Sequence, residues 1–377
     1  MDFNINFFAE VLIGGLLSGV MYALVAIGFV LIYKASGVFN FAQGAMVLFA
    51  ALTLARLTDK IDDKEVFLAH FVAVAALLGV AVVLIAWWVW REYIVRGAGS
   101  GERRKILMLA GAGALIGGAV AFAYGKGAWP MWLALAATAA VMSLLAYAIE
   151  RLVLRHLVNQ EGIILFMATL GIAYFLEGFG QTVWGSDVYK IEIGLPKEPI
   201  FLFEGTFEGG LLVDAGELVS AGIAIGLVIV LGIFFQKTRI GRALRAVADD
   251  HAAAQSVGIP LNTIWLIVWT VSGLVALAAG MIWGAKLGVQ FSISLIALKA
   301  LPVLILGGFT SVPGAIVGGL IIGAGEKLSE VFLAPILVKQ FDLAGGGIEN
   351  WFAYVLALVF LLFRPQGLFG ERIIERV

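Results

Sequence analysis

The chain has 377 residues, of which 62% are hydrophobic and only 14% charged, with a mean hydropathy of +1.02. Soluble domains carry about 25% charged residues, so this composition marks an integral membrane protein rather than two or three globular domains. A net charge of -1 argues against nucleic acid as a partner, the absence of Cys excludes thiolate chemistry, and His70, His156 and His251 lie too far apart in sequence to suggest a metal site.

A spanning helix needs about 20 mostly apolar residues. In chain order the runs of that kind are 7–33, 38–57, 66–90, 106–125, 129–149, 162–183, 217–236, 262–284, 295–325 and 351–363. The N-terminal residues before Phe7 lack the basic region of a signal peptide, so 7–33 reads as a retained first helix. Residues 91–128, with the Gly-rich stretch Arg96-Gly97-Ala98-Gly99-Ser100-Gly101, read as an insertion carrying an extra span. The 295–325 run is interrupted by Gly307-Gly308-Phe309-Thr310-Ser311-Val312-Pro313-Gly314, through which a continuous helix would be costly. A broken helix or re-entrant pair is expected there. The fold class is therefore all-α, a single polytopic transmembrane bundle over 1–377 with about 8–10 spans, broken or re-entrant helices included.

Lys and Arg gather in cytoplasmic loops. An alternating scheme puts Lys34, 91–105, 150–161, 237–261 and the C-terminal tail inside, and 58–65, 126–128, 185–216, 284–294 and 326–350 outside. Every Arg except Arg56 then lies inside, with the N-terminus outside and the C-terminus cytoplasmic. The scheme requires 295–325 to enter and leave on one side. The outer segment 185–216 is acidic and reads as a solvated loop or as a docking surface for an external partner.

Three places combine helix breakers with polar groups inside apolar runs, the pattern by which transporters meet substrates near the bilayer midplane. In the first, Asn40 and Gln43 are three apart and share a helical face. They serve either as hydrogen bonds between helices or as lining of a path. In the second, Thr169 precedes Glu177, an intramembrane carboxylate late in its span, which is a functional candidate unless it snorkels to the interface. In the third, Lys299 precedes Gly307, Gly308 and Ser311, where small residues permit either close helix packing or a break at a translocation path. A pairing of Lys299 with Glu177 is conceivable, although nothing in the sequence brings them together. No catalytic constellation is present: there is no Walker A pattern, no H-E-x-x-H and no Ser/His/Asp grouping.

Residues 238–258 form a basic, helix-prone stretch between two hydrophobic runs, with Gly241, Arg242 and Arg245 early, small apolar residues through the middle, Asp249 and Asp250 after them, and Gly258 at its exit. A mere connector needs a few residues. This one suits a helix at the membrane surface gripped by a soluble partner, with Gly258 and Pro260 turning the chain back into the bilayer.

Four motifs, in order along the chain, carry a family resemblance. They are Gly19-Val20-Met21-Tyr22-Ala23-Leu24-Val25-Ala26-Ile27-Gly28 with Val38-Phe39-Asn40-Phe41-Ala42-Gln43-Gly44; Ala168-Thr169-Leu170-Gly171; Gly241-Arg242-Ala243-Leu244-Arg245-Ala246 through Gly258; and Leu306-Gly307-Gly308 through Pro313-Gly314 to Gly319. Arg364-Pro365-Gln366-Gly367-Leu368-Phe369-Gly370 closes the series. The chain resembles the permease subunits of branched-chain amino acid ABC importers, the LivH-like branch of the hydrophobic amino acid uptake transporters. The resemblance implies a second, LivM-like permease, two cytoplasmic ATP-binding subunits and a periplasmic or lipid-anchored solute-binding protein in the inner membrane of a bacterium, with membrane lipid around the bundle. It implies that ATP is used by the partners, with no cofactor bound directly, and that 238–259 is the EAA-like coupling loop. The longer segment 91–128 and Thr310 depart from the family pattern. Relatives with these motifs also carry urea, short amides or aromatic acids. The rivals are an ion-coupled secondary transporter, favoured by Glu177 and Lys299, and an intramembrane enzyme acting on lipids, which would need a carboxylate or His cluster at one depth.

Overall fold

The structure, a computed structural model, describes residues 5–59, 129–157, 160–196, 198–205, 210–249, 251–341 and 346–370. The runs 66–90 and 106–125, the segment 91–128 and Asp250 lie outside them. Helix α1 (Ile5–Ser36) has 32 residues, about 48 Å at 1.5 Å per residue, and carries no charge between Glu10 and Lys34. Its most apolar window is 83% buried, against 22% for the later spans at 162–184 and 215–237. It is therefore the central post of the bundle. It ends at Gly37, whose φ of 69° permits the left-handed turn that closes on Tyr33.

Helix α2 (Gln43–Thr58) is shorter than the run 38–57 suggested, because 37–42 is not helical. The Asn40 side chain explains the delay. Its Oδ1 accepts from the Ala42 amide at 3.0 Å, a local bond that competes with the helical ladder. Helix α3 (Met131–Ala148) continues through a wide turn (Ile149–Val153) and a tight one (Leu154–Leu157). Helix α4 (Gly162–Trp184) follows. The segment expected as an irregular outer loop contains a hairpin, β1 (Pro199–Leu202) antiparallel to β2 (Leu211–Asp214), a small exception in an otherwise helical chain.

Asp214 caps helix α5 (Ala215–Lys237) by accepting from the Glu217 amide at 2.8 Å. Two short helices come next, α6 (Arg239–Asp249) and α7 (His251–Ser256), then the long α8 (Leu261–Leu287). A tight turn (Phe291–Leu295) leads into α9 (Ile296–Gly307), which is followed by α10 (Val312–Leu328), a wide turn (Ser329–Leu333), α11 (Ala334–Phe341) and α12 (Ile348–Phe363). Residues 326–350, read from sequence as a loop, are thus largely helical, and Glu326 is buried. Among the described residues five helices are long and apolar enough to span, and α9 with α10 adds a sixth if the bent pair counts as one.

The pair bends by 113° at 308–311, where the Gly and Pro residues predicted a break. Gly308 has φ 103°. The loop 364–370 covers the bend: Leu368 N–H donates to the Leu306 carbonyl at 2.8 Å and Phe369 N–H to the Gly307 carbonyl at 3.1 Å. Irregular backbone is tolerated at such depth when protein satisfies it.

Apolar side chains gain little by leaving lipid for protein, so close packing at small residues holds spans together. Gly15 and Gly19 of α1 face Gly319 and Gly323 of α10; a Cβ on Gly15 would lie 2.8 Å from the Ala324 Cα. Gly280 of α8 meets Val47 and Ala51 of α2 in the same way.

The two ends of the bundle differ. At one end Glu10 of α1 accepts from the Leu212 amide of the hairpin at 2.8 Å, and Lys286 at the end of α8 pairs with Glu217 at the start of α5. Tyr189 belongs to the same end: its backbone pairs with Val289, and Arg56 lies 4.7 Å over its ring. Burial pushes its phenol up, against the pull of Arg56. Helix α5 runs 23 residues away from the hairpin, about 34 Å, so α6 and α7 lie at the opposite end.

Candidate functional site

Of the polar residues singled out along the apolar runs, most are engaged with other helices. Asn40 and Gln43 are fully buried, and Asn40 Nδ2 donates to Gln43 Oε1 at 3.4 Å. Ser272 of α8 completes the group. Its hydroxyl lies 2.7 Å from Gln43 Oε1 and 3.1 Å from the Gly28 carbonyl of α1, while Gln43 Nε2 donates to the Ser272 carbonyl at 3.4 Å. The cluster ties α1, α2 and α8 together. Thr169 of α4 pins the break before α2: its hydroxyl accepts from the Phe41 amide at 3.3 Å, with the Phe39 carbonyl at 3.3 Å and the Phe166 carbonyl at 2.9 Å.

Lys299 does not meet Glu177. Its Nζ lies 2.6 Å from Glu326 Oε1, and the Tyr22 hydroxyl donates to the same oxygen at 3.1 Å. This group joins α9, α10 and α1. The reason sequence reading missed it is that Glu326 sits at the end of an apolar run and looks interfacial, whereas α10 continues through it. Gly307 packs on Gly314, Gly308 on the loop 364–370, and Ser311 caps α10 by accepting from the Gly314 amide at 3.0 Å. These three shape the bend.

Glu177 is placed differently. It lines a cavity of about 200 Å³. Phe29, Phe39, Phe41, Gly44 and Ala45 form one wall, Leu170, Ala173, Tyr174 and Glu177 of α4 another, and Ser294, Leu295, Ala297, Leu298 and Leu301 the third. The aromatic wall is built by ring contacts: Phe29 stacks on Phe39 with centroids 4.7 Å apart, and Phe41 meets Phe39 and Phe166 edge to face, each at 4.7 Å. The cavity needs the break at 37–42, which turns Phe39 and Phe41 inward from a segment that a continuous helix would have hidden. No run of sequence marks it, because three distant segments contribute.

The connector is a two-faced device. Gly241, Leu244 and Val247 of α6 and Ala254 of α7 are buried, whereas Arg239, Ile240, Arg242, Asp249, Gln255 and Val257 are exposed. Thr238 fixes its start: the hydroxyl donates to the Phe234 carbonyl at 2.6 Å and accepts from the Gly241 amide at 3.0 Å. Arg245 Nη1 reaches back to the Phe235 carbonyl at 2.5 Å. A side chain at Gly241 would run into the Phe235 backbone. Gly258, at φ 85°, ends the segment, and the Ile259 amide bonds to the Ala254 carbonyl at 3.0 Å.

The chain belongs to the family described as "Branched-chain amino acid transport system / permease component", which matches residues 11–98 and 106–364. It is 26% identical over 376 residues to the high-affinity branched-chain amino acid transport system permease protein BraD of Pseudomonas aeruginosa, over 99% of each chain. It is 25% identical over 384 residues to LivH of Escherichia coli K12, which bears the same description, over 98% of each. The autoinducer 2 import system permease protein LsrC of Klebsiella pneumoniae is 30% identical over 178 residues, 47% of this chain and 46% of that one. The chain is a transport subunit, a polytopic permease component.

Proposed function

We propose that this chain is the LivH-like half of an ATP-driven ABC importer that carries branched-chain or other hydrophobic amino acids across the inner membrane of a bacterium. A LivM-like permease forms the other half. Two ATP-binding subunits engage the connector on the cytoplasmic side, and a solute-binding protein delivers solute at the hairpin end. The N-terminus then lies outside and the C-terminus inside. ATP acts in the partners.

The observation that carries this reading is the two-faced connector. Its buried face seats it on the bundle, and the bonds from Thr238 and Arg245 clamp α6 to the end of α5. A push on its exposed face therefore moves α5 and the central α1 rather than bending a loose loop. The glycine seam passes that motion from α1 to α10 and the bent pair. The likeness to LsrC favours a second reading in which the same machinery carries another small solute, such as urea, a short amide or an aromatic acid.

The test is uptake and ATP turnover by the reconstituted complex in liposomes with the binding protein outside. L-leucine uptake should require ATP. Arg242→Glu with Val257→Asp, both on the exposed face, should lower leucine uptake and leucine-stimulated ATP hydrolysis together by about tenfold, the effect of some 1.4 kcal/mol of lost docking. Uptake that follows a proton or sodium gradient without ATP would refute the reading in favour of secondary transport.

A further inference from the structure

Glu177 stands apart from the other carboxylates of the helical core. Glu326 is held by Lys299 and Tyr22, Glu217 by Lys286, and Glu150 lies near Arg151. Among the described residues the Glu177 carboxylate has no ion pair and no hydrogen bond, although it lies within a span. A charge left there is costly unless a cation comes to it. Among the described residues none comes: no Lys, Arg or His of theirs lines the cavity.

What the cavity does supply defines the missing cation. An engineered apolar cavity of about 150 Å³ holds benzene, so 200 Å³ admits one small solute and no peptide. Phe29, Phe39, Phe41 and Tyr174 offer apolar contact and aromatic faces, which attract an ammonium group. The Ser294 hydroxyl donates to the Phe291 carbonyl at 2.9 Å, which leaves its lone pairs to accept from an ammonium hydrogen. The cavity is open on the side where Tyr174 and Leu298 are 69% and 44% exposed, so a solute can enter there.

We propose that the Glu177 cavity is a transient binding site for a small solute bearing an ammonium group beside a branched or aromatic apolar body. This deepens the import reading given above and rests on it. The ammonium group pairs with Glu177 and the apolar body packs on Phe39 and Phe41. A carboxylate on the same solute finds no cation here and points to the mouth. Recognition at this site is therefore of the amine and the apolar body, not of the acid.

The experiment uses the assembled complex of both permeases and both ATP-binding subunits in nanodiscs, without the binding protein, and measures equilibrium binding of radiolabelled L-leucine. Displacement by 3-methylbutylamine but not by 4-methylpentanoate is expected. Glu177→Gln should weaken leucine binding by about tenfold or more, the scale of one charge-assisted hydrogen bond, and Glu177→Asp should recover part of it. Ala173→Trp, which fills the cavity and keeps the carboxylate, should abolish binding. Displacement by 4-methylpentanoate as strong as by the amine overturns the proposal on the unmodified protein alone. So does undiminished leucine binding in an assembled Glu177→Gln complex, the result expected if the carboxylate instead pairs with the second permease or carries a proton. ATP-driven leucine uptake by the unmodified complex, measured in parallel, separates the two claims. If it proceeds while the binding results fail, the cavity assignment falls and the import reading stands.

Discussion

Replacing Lys299 with Met should destabilise the bundle more than replacing both Lys299 and its partner. Lys299 Nζ and the Tyr22 hydroxyl converge on one oxygen of Glu326, at 2.6 and 3.1 Å. The Glu326 side chain is 7% exposed and that of Lys299 34%. Removal of one partner from a buried ion pair costs about 3–5 kcal/mol, because a charge is stranded. Here the lysine side is partly exposed, which trims the expected loss to about 2–3 kcal/mol. Glu326→Gln strands nothing comparable. The amide oxygen still accepts from Tyr22, and the freed ammonium can turn to water along its flexible stem, so a loss of about 1 kcal/mol is expected. The double variant Lys299→Met, Glu326→Gln should match Glu326→Gln alone and exceed Lys299→Met in stability. Equilibrium unfolding in mixed micelles, run as a double-mutant cycle, reads the coupling directly. Simple additivity of the two single losses would refute the claim that these side chains form one unit.

Three further outcomes follow from the packing. Ser272→Ala removes the 2.7 Å donor to Gln43 and leaves a buried amide under-satisfied, for a loss of about 1–3 kcal/mol by the same unfolding assay. Gly15→Ala puts a methyl 2.8 Å from the Ala324 Cα, whereas nothing lies within 4 Å of a Cβ at Gly14; the first should cost about 1–3 kcal/mol and the second nothing, and equal effects would deny the α1–α10 seam. Gly258→Ala forces a side chain into φ 85°, which costs about 1–2 kcal/mol, and hydrogen exchange should show the loosening at 251–259 before the spans respond.

The parts of this fold legible in the sequence are those written in local pattern. Gly307, Gly308 and Pro313 forecast the bend because helix breakers act where they stand. The connector announced itself through Arg242 and Arg245, the small apolar residues after them and Gly258 at the exit, but its buried face, made by Gly241, Leu244 and Val247, was not read from the sequence. Asn40 was legible as a polar residue in lipid, but its Asx-type bond to Ala42, which delays α2, was not. Ser272 was missed altogether, since a serine in an apolar helix satisfies itself locally as readily as it bridges. Its partners Gly28 and Gln43 lie 244 and 229 residues away. Glu326 was misplaced in a loop for the related reason that hydropathy falls where a helix meets its salt-bridge partners as well as where it leaves the membrane. The cavity was illegible because residues 29–45, α4 and the stretch 294–301 come together only in the fold, each contributing an unremarkable apolar face.

The segment Arg364-Pro365-Gln366-Gly367-Leu368-Phe369-Gly370 is built into the bent pair by hydrogen bonds. A bend of 113° between α9 and α10 deprives the last carbonyls of α9 of their helical partners. Leu368 and Phe369 supply those partners. The approach is close enough that a side chain at Gly367 would lie 2.7 Å from the Gly308 nitrogen, and one at Gly308 would lie 2.8 Å from the Gly370 nitrogen. Glycine is thus needed on both sides of one contact. Because α9 is also tied to α10 through Lys299 and Glu326, the bend is braced at its apex and across its arms. A rotation of α1 acting through the glycine seam would then carry α9, α10 and the loop together, and would move Ser294 and Leu298 relative to Glu177 on α4. In the proposed motion the cavity wall that shifts would be the one facing the Glu177 carboxylate.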